Sequence, residues 1–337
     1  MKSNDNKVPE FHVAIDVVVL TIIDGLLNVA VVQRDHQNSC IDLKRNGKVI
    51  EVPRDYQNHW ALPGGHVNPK TENLIVAAKR KVNEETIIKV DTENLIEVGA
   101  YGDLGRDPRS GRTISVAYVA FQPMFTERDS RIKAAIFKPV LELFIEPTRL
   151  EFDHEKMLID AIQKVRNLML STPVATSFCP EEFTMTELRE VYEVLWHHAY
   201  DKEIDNRERQ KYAAEVQEYT TSESFQMLNR ANDLRYEFAR MPQDKINKIA
   251  RILTTEANQL SKKPVIKNLL DPANFSRKVE NIPGFVEKIS NLTSRSTSRN
   301  SSGQPDLNSS GRPAQLFRKG WADRLDPPLR LRVKQRK

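Results

Sequence analysis

Cysteine is scarce: Cys40 and Cys179 are the only two in 337 residues. At that separation they form no metal-binding or redox spacing, and in a reducing compartment both read as ordinary thiols. Long apolar runs are missing as well. The longest, Val13 to Ile23, is broken by Asp16 and falls short of the roughly 20 residues a membrane-spanning helix needs. Met1 to Glu10 is polar and lacks the basic-then-apolar order of a secretion signal. These absences predict no membrane association and a cytoplasmic location. Apolar residues still make up 39% of the chain and charged residues 29%, which excludes wholesale disorder. At about 100 to 200 residues per domain the length excludes a single small module and leaves room for two domains or three.

Charge is distributed unevenly. Ser261 to Lys337 holds 17 Lys and Arg against 6 Asp and Glu, a net +11, so the +5 of the whole chain leaves −6 for the first 260 residues. An acidic body joined to a basic end suits a protein that meets a small ligand or partner with one part and phosphate backbone with the other. A basic solvated tail would give the same balance.

The hydrophobic pattern opens with sheet. Val13 to Ile23 and Leu26 to Val32 are strand-like runs separated by Asp24-Gly25, a hairpin signal. Asn38 to Tyr56 reads as a polar excursion or small hairpin. Helical spacing from Glu72 to Glu85 places Ile75, Ala78 and Val82 on one face. Strands are predicted at Ile96 to Tyr101 and Thr113 to Phe121, and a helix at His154 to Leu168. The whole is a mixed sheet layered with helices and ends near residue 170. Residues 171–182 read as a linker. Thr184 with Glu187 forms a capping box for a helix carrying Leu188, Val191 and Leu195. A helical, charge-mixed stretch over about 197–267 follows, and Asp271-Pro272 marks another helix start. Residues 290–310 are rich in Ser, Asn and Gly and predict a flexible loop; 321–337 predict an untethered basic tail.

Gly64 to Ile88 contains Gly65, Glu72, Arg80, Glu84 and Glu85 in the order of the Nudix box, G-x5-E-x7-R-E-U-x-E-E-x-G-U, which this segment resembles. Six residues instead of five separate Gly65 from Glu72, Lys81 stands where the pattern has glutamate, and Ile87 replaces its final glycine. Hydrolases of that family hold Mg²⁺ on carboxylates of one helical face. An ammonium in place of a carboxylate changes the local charge by two units, and Lys81 lies three and four residues before Glu84 and Glu85, within pairing reach on a helix. The resemblance therefore implies impaired catalysis, with no catalytic or metal-ligating residue assigned. Alone, these charges would read as a solvated helix face.

Val98 to Tyr118 is similar to the signature that follows the box in the ADP-ribose-handling branch of Nudix proteins and their regulator relatives. Its Arg106, Arg109 and Arg112 suit a diphosphate cradle, because guanidinium forks grip phosphate oxygens in pairs; a basic turn closed by Asp107 is the alternative. His154 reads as a helix-start residue. The resemblance implies a nucleotide set of Arg34, Gly64, Gly65, Arg80, Glu84, Glu85, Arg106, Arg109 and Arg112. Phe183 to Glu193 resembles the first helix of the winged helix-turn-helix in Nudix-related transcriptional regulators of NAD metabolism. Asn274-Phe275-Ser276-Arg277-Lys278 resembles their recognition helix, displaced by roughly 70 residues, and Gly311 to Arg318 resembles their wing. Asn274, Ser276, Arg277, Lys278, Arg312, Arg318 and Lys319 are the DNA-contacting candidates this implies. For Arg277 and Lys278 a basic helix end is the alternative.

The fold class expected is thus α+β. A Nudix-like αβα sandwich (1–170) precedes a winged helix-turn-helix domain (183–320) interrupted by a helical insertion. The expected function is a homodimeric, DNA-binding repressor of genes for NAD-cofactor or related sugar metabolism. It would respond to ADP-ribose or an NAD-derived nucleotide and need no resident cofactor. An active Nudix hydrolase of ADP-ribose or a dinucleotide pyrophosphate is the competing reading, and an interaction protein that recruits partners through 197–267 is a third.

Overall fold

The computed structural model describes residues 11–23, 25–33, 44–45, 48–49, 60–86, 88–90, 94–107, 112–123, 135–145, 150–222, 270–294 and 314–331. Among the described residues nine strands lie in the first half: β1 (His12–Ile23), β2 (Leu26–Gln33), β3 (Lys44–Arg45), β4 (Lys48–Val49), β5 (Trp60–Ala61), β6 (Gly64–His66), β7 (Ile96–Tyr101), β8 (Thr113–Phe121) and β9 (Ala135–Pro139). Seven of them make one sheet with the path β5-β2-β1-β8-β7, β6 pairing with β1 and β9 with β2. β1 and β8 pair in parallel, the other strand pairs described are antiparallel, and the small β3–β4 hairpin stands apart.

β1 is central, and its apolar residues run on without alternating because both faces are covered. Ile15, Val17 and Val19 point to helix α1 (Leu74–Thr86), where Ala77, Ala78 and Val82 close over them. Val18, Leu20 and Ile22 point the other way, into a core shared with Met157, Leu158, Ala161, Ile162 and Val165 of helix α2 (His154–Ser171). This is the expected αβα layering, and each fully buried aliphatic side chain contributes about 1.5–3 kcal/mol to it. Gly25, at φ +77°, turns β1 into β2 in a conformation an L side chain resists. The bounds of β7 and β8 coincide with the expected strands.

The stretch expected to be a linker is packed. Pro173–Phe178 is a 3-10 helix with Ala175 and Phe178 fully buried. It leads into β10 (Phe183–Thr184) and helix α3 (Met185–Leu195), whose capping box forms as expected: the Glu187 amide donates to Thr184 Oγ1 at 3.2 Å and the Thr184 amide to Glu187 Oε2 at 2.6 Å. Helix α4 (Asn206–Thr221) opens the predicted insertion and packs on the first unit, where Thr220 donates to Glu142 and Arg209 lies 4.9 Å from the Phe144 ring. A 3-10 helix (His198–Tyr200) precedes it, and residues 223–267 lie outside the described residues.

Helix α5 (Pro272–Glu280) is capped by Asp271, whose Oδ1 accepts from the Asn274 amide at 2.8 Å. Strands β11 (Val286–Ser294) and β12 (Ala314–Lys319) join β10 in a three-stranded antiparallel sheet, order β10-β12-β11. β11 therefore extends into the stretch expected to be loop; residues 295–313 lie outside the described residues. Phe275, Val279, Leu316 and Phe317 are buried, as expected of core positions.

Residues 321–331 correct the expectation of an untethered tail. Ala322, Leu325 and Leu329 are buried, and the amides of Leu325 and Leu329 donate to the Ser171 and Leu170 carbonyls at 2.8 Å each. Those carbonyls end α2 and would otherwise lack intrahelical partners. A run of Pro and Arg concealed this, because the two leucines find their partners some 150 residues upstream.

Candidate functional site

The turn from β5 to β6 carries Leu62-Pro63-Gly64-Gly65 against the C-terminal half of α1, and two glycines are needed there. A Cβ on Gly64 would lie 2.3 Å from Asp16 Oδ1 and 2.4 Å from the Ile15 carbonyl. Gly65 has φ +147°, and a Cβ on it would meet Lys81 Cε at 2.9 Å. The Lys81 stem thus lies against the glycine turn.

On α1 the box charges neutralise one another. Arg80 donates to Glu72 Oε2 through Nε at 2.8 Å, to Glu72 Oε1 through Nη2 at 2.5 Å and to Glu84 Oε2 through Nη1 at 3.0 Å. Lys81 Nζ is 3.5 Å from Glu84 Oε2 and 3.7 Å from Glu85 Oε1. The other Glu85 oxygen accepts from the Gly64 amide at 3.0 Å. The Arg80 guanidinium and the Asn68 amide hold the Glu72 carboxyl down at about 2, while Glu72, the largest influence on Arg80, pushes the guanidinium further up. Among the described residues no three His, Cys, Asp or Glu side chains converge as a cation site. A dication on these carboxylates would face Lys81 and would have to displace Arg80. The donor set present therefore does not fit the Mg²⁺ that the box pattern implies.

Behind the glycine turn lies a buried charged cluster. Asp16, alone in an apolar strand, accepts from Ser115 Oγ at 2.5 Å. Arg106 makes a two-pronged contact with Asp153 at 2.9 and 2.7 Å and lies 3.6 Å from Asp16. Burial pulls the Arg106 pKa down, but Asp153 and Asp16 outweigh it and the net shift is upward. His154 accepts from the Leu62 amide at Nδ1, 3.0 Å away, and presents Nε2 to Asp16 at 3.5 Å. With Nδ1 an acceptor, the neutral ring carries its proton on Nε2.

Arg106 is therefore not part of an open phosphate cradle: its side chain is 5% exposed and its fork is committed to Asp153. Arg112 is exposed at the start of β8 and 5.8 Å from the Phe11 ring. Arg34, Arg109, Ile87 and Arg312 lie outside the described residues. The structure brings Gly64, Gly65, Arg80, Glu84 and Glu85 together around one turn of α1. Asp16, Ser115 and Asp153 were not singled out from the sequence. A solitary acid inside an apolar strand was the available signal, since it must find a partner when buried.

At the other end of the molecule α5 presents Asn274, Arg277 and Lys278 on one side. Arg277 Nη2 donates to Asn274 Oδ1 at 3.2 Å, and the Lys278 ammonium donates to the Arg330 carbonyl. Ser276 is half-buried, Lys319 is exposed, and Arg318 pairs with Glu287 at 3.0 Å. The two ends are joined through α2. Arg166 donates to the Leu195 and His197 carbonyls at 2.5 and 2.8 Å and to Asp201 at 2.7 Å; Tyr192 Oη donates to the Met169 carbonyl at 3.0 Å.

Residues 26–160 match the family model of the NUDIX domain. An ADPR responsive transcriptional repressor, NtrR, of Acinetobacter baylyi is 27% identical over 206 residues, covering 59% of this chain and 72% of that protein. Among solved structures, Shewanella oneidensis NrtR complexed with a 27mer DNA is 23% identical, covers 61% of this chain and 83% of its own, and gives a TM-score of 0.44. A MutT/nudix family protein from Enterococcus faecalis is 25% identical, covers 61% and 81%, and gives 0.43. Among the described residues no helix is long and apolar enough to cross a membrane. The family likeness therefore rests on residues 26–160, which are similar in sequence to the NUDIX domain.

Proposed function

We propose that this protein is a DNA-binding transcriptional repressor whose NUDIX domain senses ADP-ribose or a related NAD-derived nucleotide without turning it over. The observation that carries the reading is Lys81, whose ammonium is within 3.5 and 3.7 Å of the two acids that close the box. A site whose carboxylates are already matched by cations on the same helix favours holding an anionic ligand over assembling a dication for water attack. The similarity to an ADPR responsive repressor supports the same conclusion.

In this reading α3, α5 and the β10-β12-β11 sheet are a winged helix-turn-helix. α5 enters the major groove with Asn274 and Arg277 toward base edges, while Lys278, Arg318 and Lys319 meet phosphates. Arg312, outside the described residues, is the proposed contact to the minor groove. The protein acts as a homodimer, and half-sites one helical turn apart require its two α5 helices to lie about 34 to 36 Å apart. Ligand binding changes DNA affinity to the extent that ADP-ribose binds the two arrangements of the dimer unequally. Genes of NAD-cofactor or related sugar metabolism are the proposed targets.

Mobility shift of duplex DNA from upstream of the protein's own gene, with and without ADP-ribose and NAD, tests both halves. The reading requires a retarded band that Arg277→Gln abolishes and that ADP-ribose alters. Hydrolysis is the competing reading, supported by the retention of Glu72, Glu84 and Glu85. ADP-ribose turnover with Mg²⁺ or Mn²⁺ that Glu85→Gln removes, with no retarded band, would replace the first reading with the second.

A further inference from the structure

We infer that Arg166 is the clasp through which nucleotide occupancy reaches the DNA-reading helix: its guanidinium locks the end of α3 to α2, and ADP-ribose and DNA act on one another through that lock. The inference rests on the reading proposed above and deepens it, because it names the device that joins the two binding activities.

Short contacts lead without a gap from the glycine turn to α5. At the start of α2, His154 Nδ1 accepts from the Leu62 amide at 3.0 Å and Asp153 takes both prongs of Arg106. About three turns further along the same helix, Arg166 reaches out of the first unit. Its Nε donates to the Leu195 carbonyl at 2.5 Å, its Nη2 to the His197 carbonyl at 2.8 Å and its Nη1 to Asp201 Oδ1 at 2.7 Å. α3 in turn fixes α5. Glu193 Oε1 accepts from the Leu270 amide at 3.1 Å, next to the Asp271 cap, and the Tyr192 and Phe275 rings meet edge to face at 5.3 Å.

Two properties separate this contact from ordinary packing. Leu195 ends α3, so its carbonyl lacks an intrahelical partner and lies at the negative end of the helix dipole, where a cation is favoured. The Arg166 side chain is 8% exposed, so its planar fork cannot exchange these acceptors for water. Hydrogen bonds weaken steeply once length and angle leave a narrow range. A slide of α2 past α3 by about 2 Å, the size of helix shift that switching proteins use, carries the fork off both carbonyls together. The grip is made or lost as a unit, and coupling between distant sites needs such a discrete element. The neighbouring bonds, Tyr192 Oη to the Met169 carbonyl at 3.0 Å and Gln163 Nε2 to the Tyr200 carbonyl at 2.9 Å, are neutral and single.

The test measures the affinity of the full chain for a labelled duplex from upstream of its own gene by anisotropy, and for ADP-ribose by titration calorimetry. Each is repeated with the other ligand saturating, and both pairs must give one coupling factor. Wild type is expected to show a factor of about 5 to 150. Arg166→Lys keeps the charge and loses the fork; its factor should fall below about 2, with each separate affinity within about threefold of wild type. Asp201→Asn keeps an acceptor and the grip on α3, and should retain the wild-type factor. An undiminished factor in Arg166→Lys overturns the inference and spares the reading beneath it. Equal loss in Asp201→Asn overturns it too, since the ion pair and not the grip on α3 then carries the effect. Separate affinities that collapse along with the factor mark Arg166 as structural and overturn the assignment. Hydrogen exchange of wild type needs no variant: saturating ADP-ribose should change exchange of the Leu270 amide and of those from Trp196 to Asp201, and unchanged rates there overturn the inference. Wild type that binds neither duplex nor ADP-ribose overturns the proposed function itself.

Discussion

On α1, Arg80, Lys81, Glu84 and Glu85 satisfy one another across single helical turns in partial contact with water. Behind the glycine turn, Arg106 finds Asp153 47 residues away in a part-buried pair, and Ser115 finds Asp16 99 residues away fully inside. The first arrangement is local and adjustable, since any member can turn to solvent when its partner goes. The second is not, because a buried charge that loses its counter-charge keeps the full cost of leaving water. Function and stability therefore fall to different charges within a few ångströms of each other: the exposed set decides what the site can hold, and the buried set decides whether the turn exists.

Removing a member of the buried set breaks the comparison most sharply. Arg106→Ala takes the two-pronged partner from Asp153 and a nearby cation from Asp16, and should cost about 3–5 kcal/mol of unfolding free energy, measured by urea denaturation. A loss below 1 kcal/mol would mean that water already reaches the cluster. Next in size is Gly64→Ala, whose Cβ would meet Asp16 Oδ1 at 2.3 Å. Forcing a methyl into that contact should cost about 1–3 kcal/mol and weaken ADP-ribose binding, read by titration calorimetry; unchanged values in both would show that the turn shifts freely.

Lys81→Glu acts on the exposed set and should change stability by less than about 1 kcal/mol. It returns an acid beside Glu84 and Glu85, so Mn²⁺ binding, followed by paramagnetic relaxation, should rise. A variant that binds no more Mn²⁺ than wild type would show that Lys81 is not what keeps a cation away. The smallest effect is that of pH on Glu72. Its folded pKa of about 2 lies below the ordinary 4.5, so the stability it contributes is fully present above pH 4.5 and disappears as pH falls toward 2. The gap between wild type and Glu72→Gln should be flat above that window and close within it, as followed by denaturation at successive pH values.

The same contrast explains what was legible in the sequence. Contacts between near neighbours could be foreseen: the Thr184–Glu187 capping box, Lys81 reaching Glu84 and Glu85, and Asp271 capping α5 all depend on spacings of three or four residues. β1 and β8 were visible because their apolar runs are long. Contacts that depend on the folded sheet were not. Nothing near Arg106 in the sequence indicates that its fork is filled by Asp153, and nothing near Leu329 points to Leu170. Pro173–Phe178 looked like a linker because proline and small residues dominate it, although Phe178 is fully buried in the core shared by both units.

α2 is pinned at both extremities, by His154 to the Leu62 amide and by the Leu170 and Ser171 carbonyls to the Leu329 and Leu325 amides. Its 18 residues make an arm about 27 Å long at about 1.5 Å per residue. Such a rod has no hinge in which to absorb a disturbance. A tilt of about 5° begun at the glycine turn swings its far tip by roughly 2 Å, comparable with the shifts that separate the states of many switching proteins.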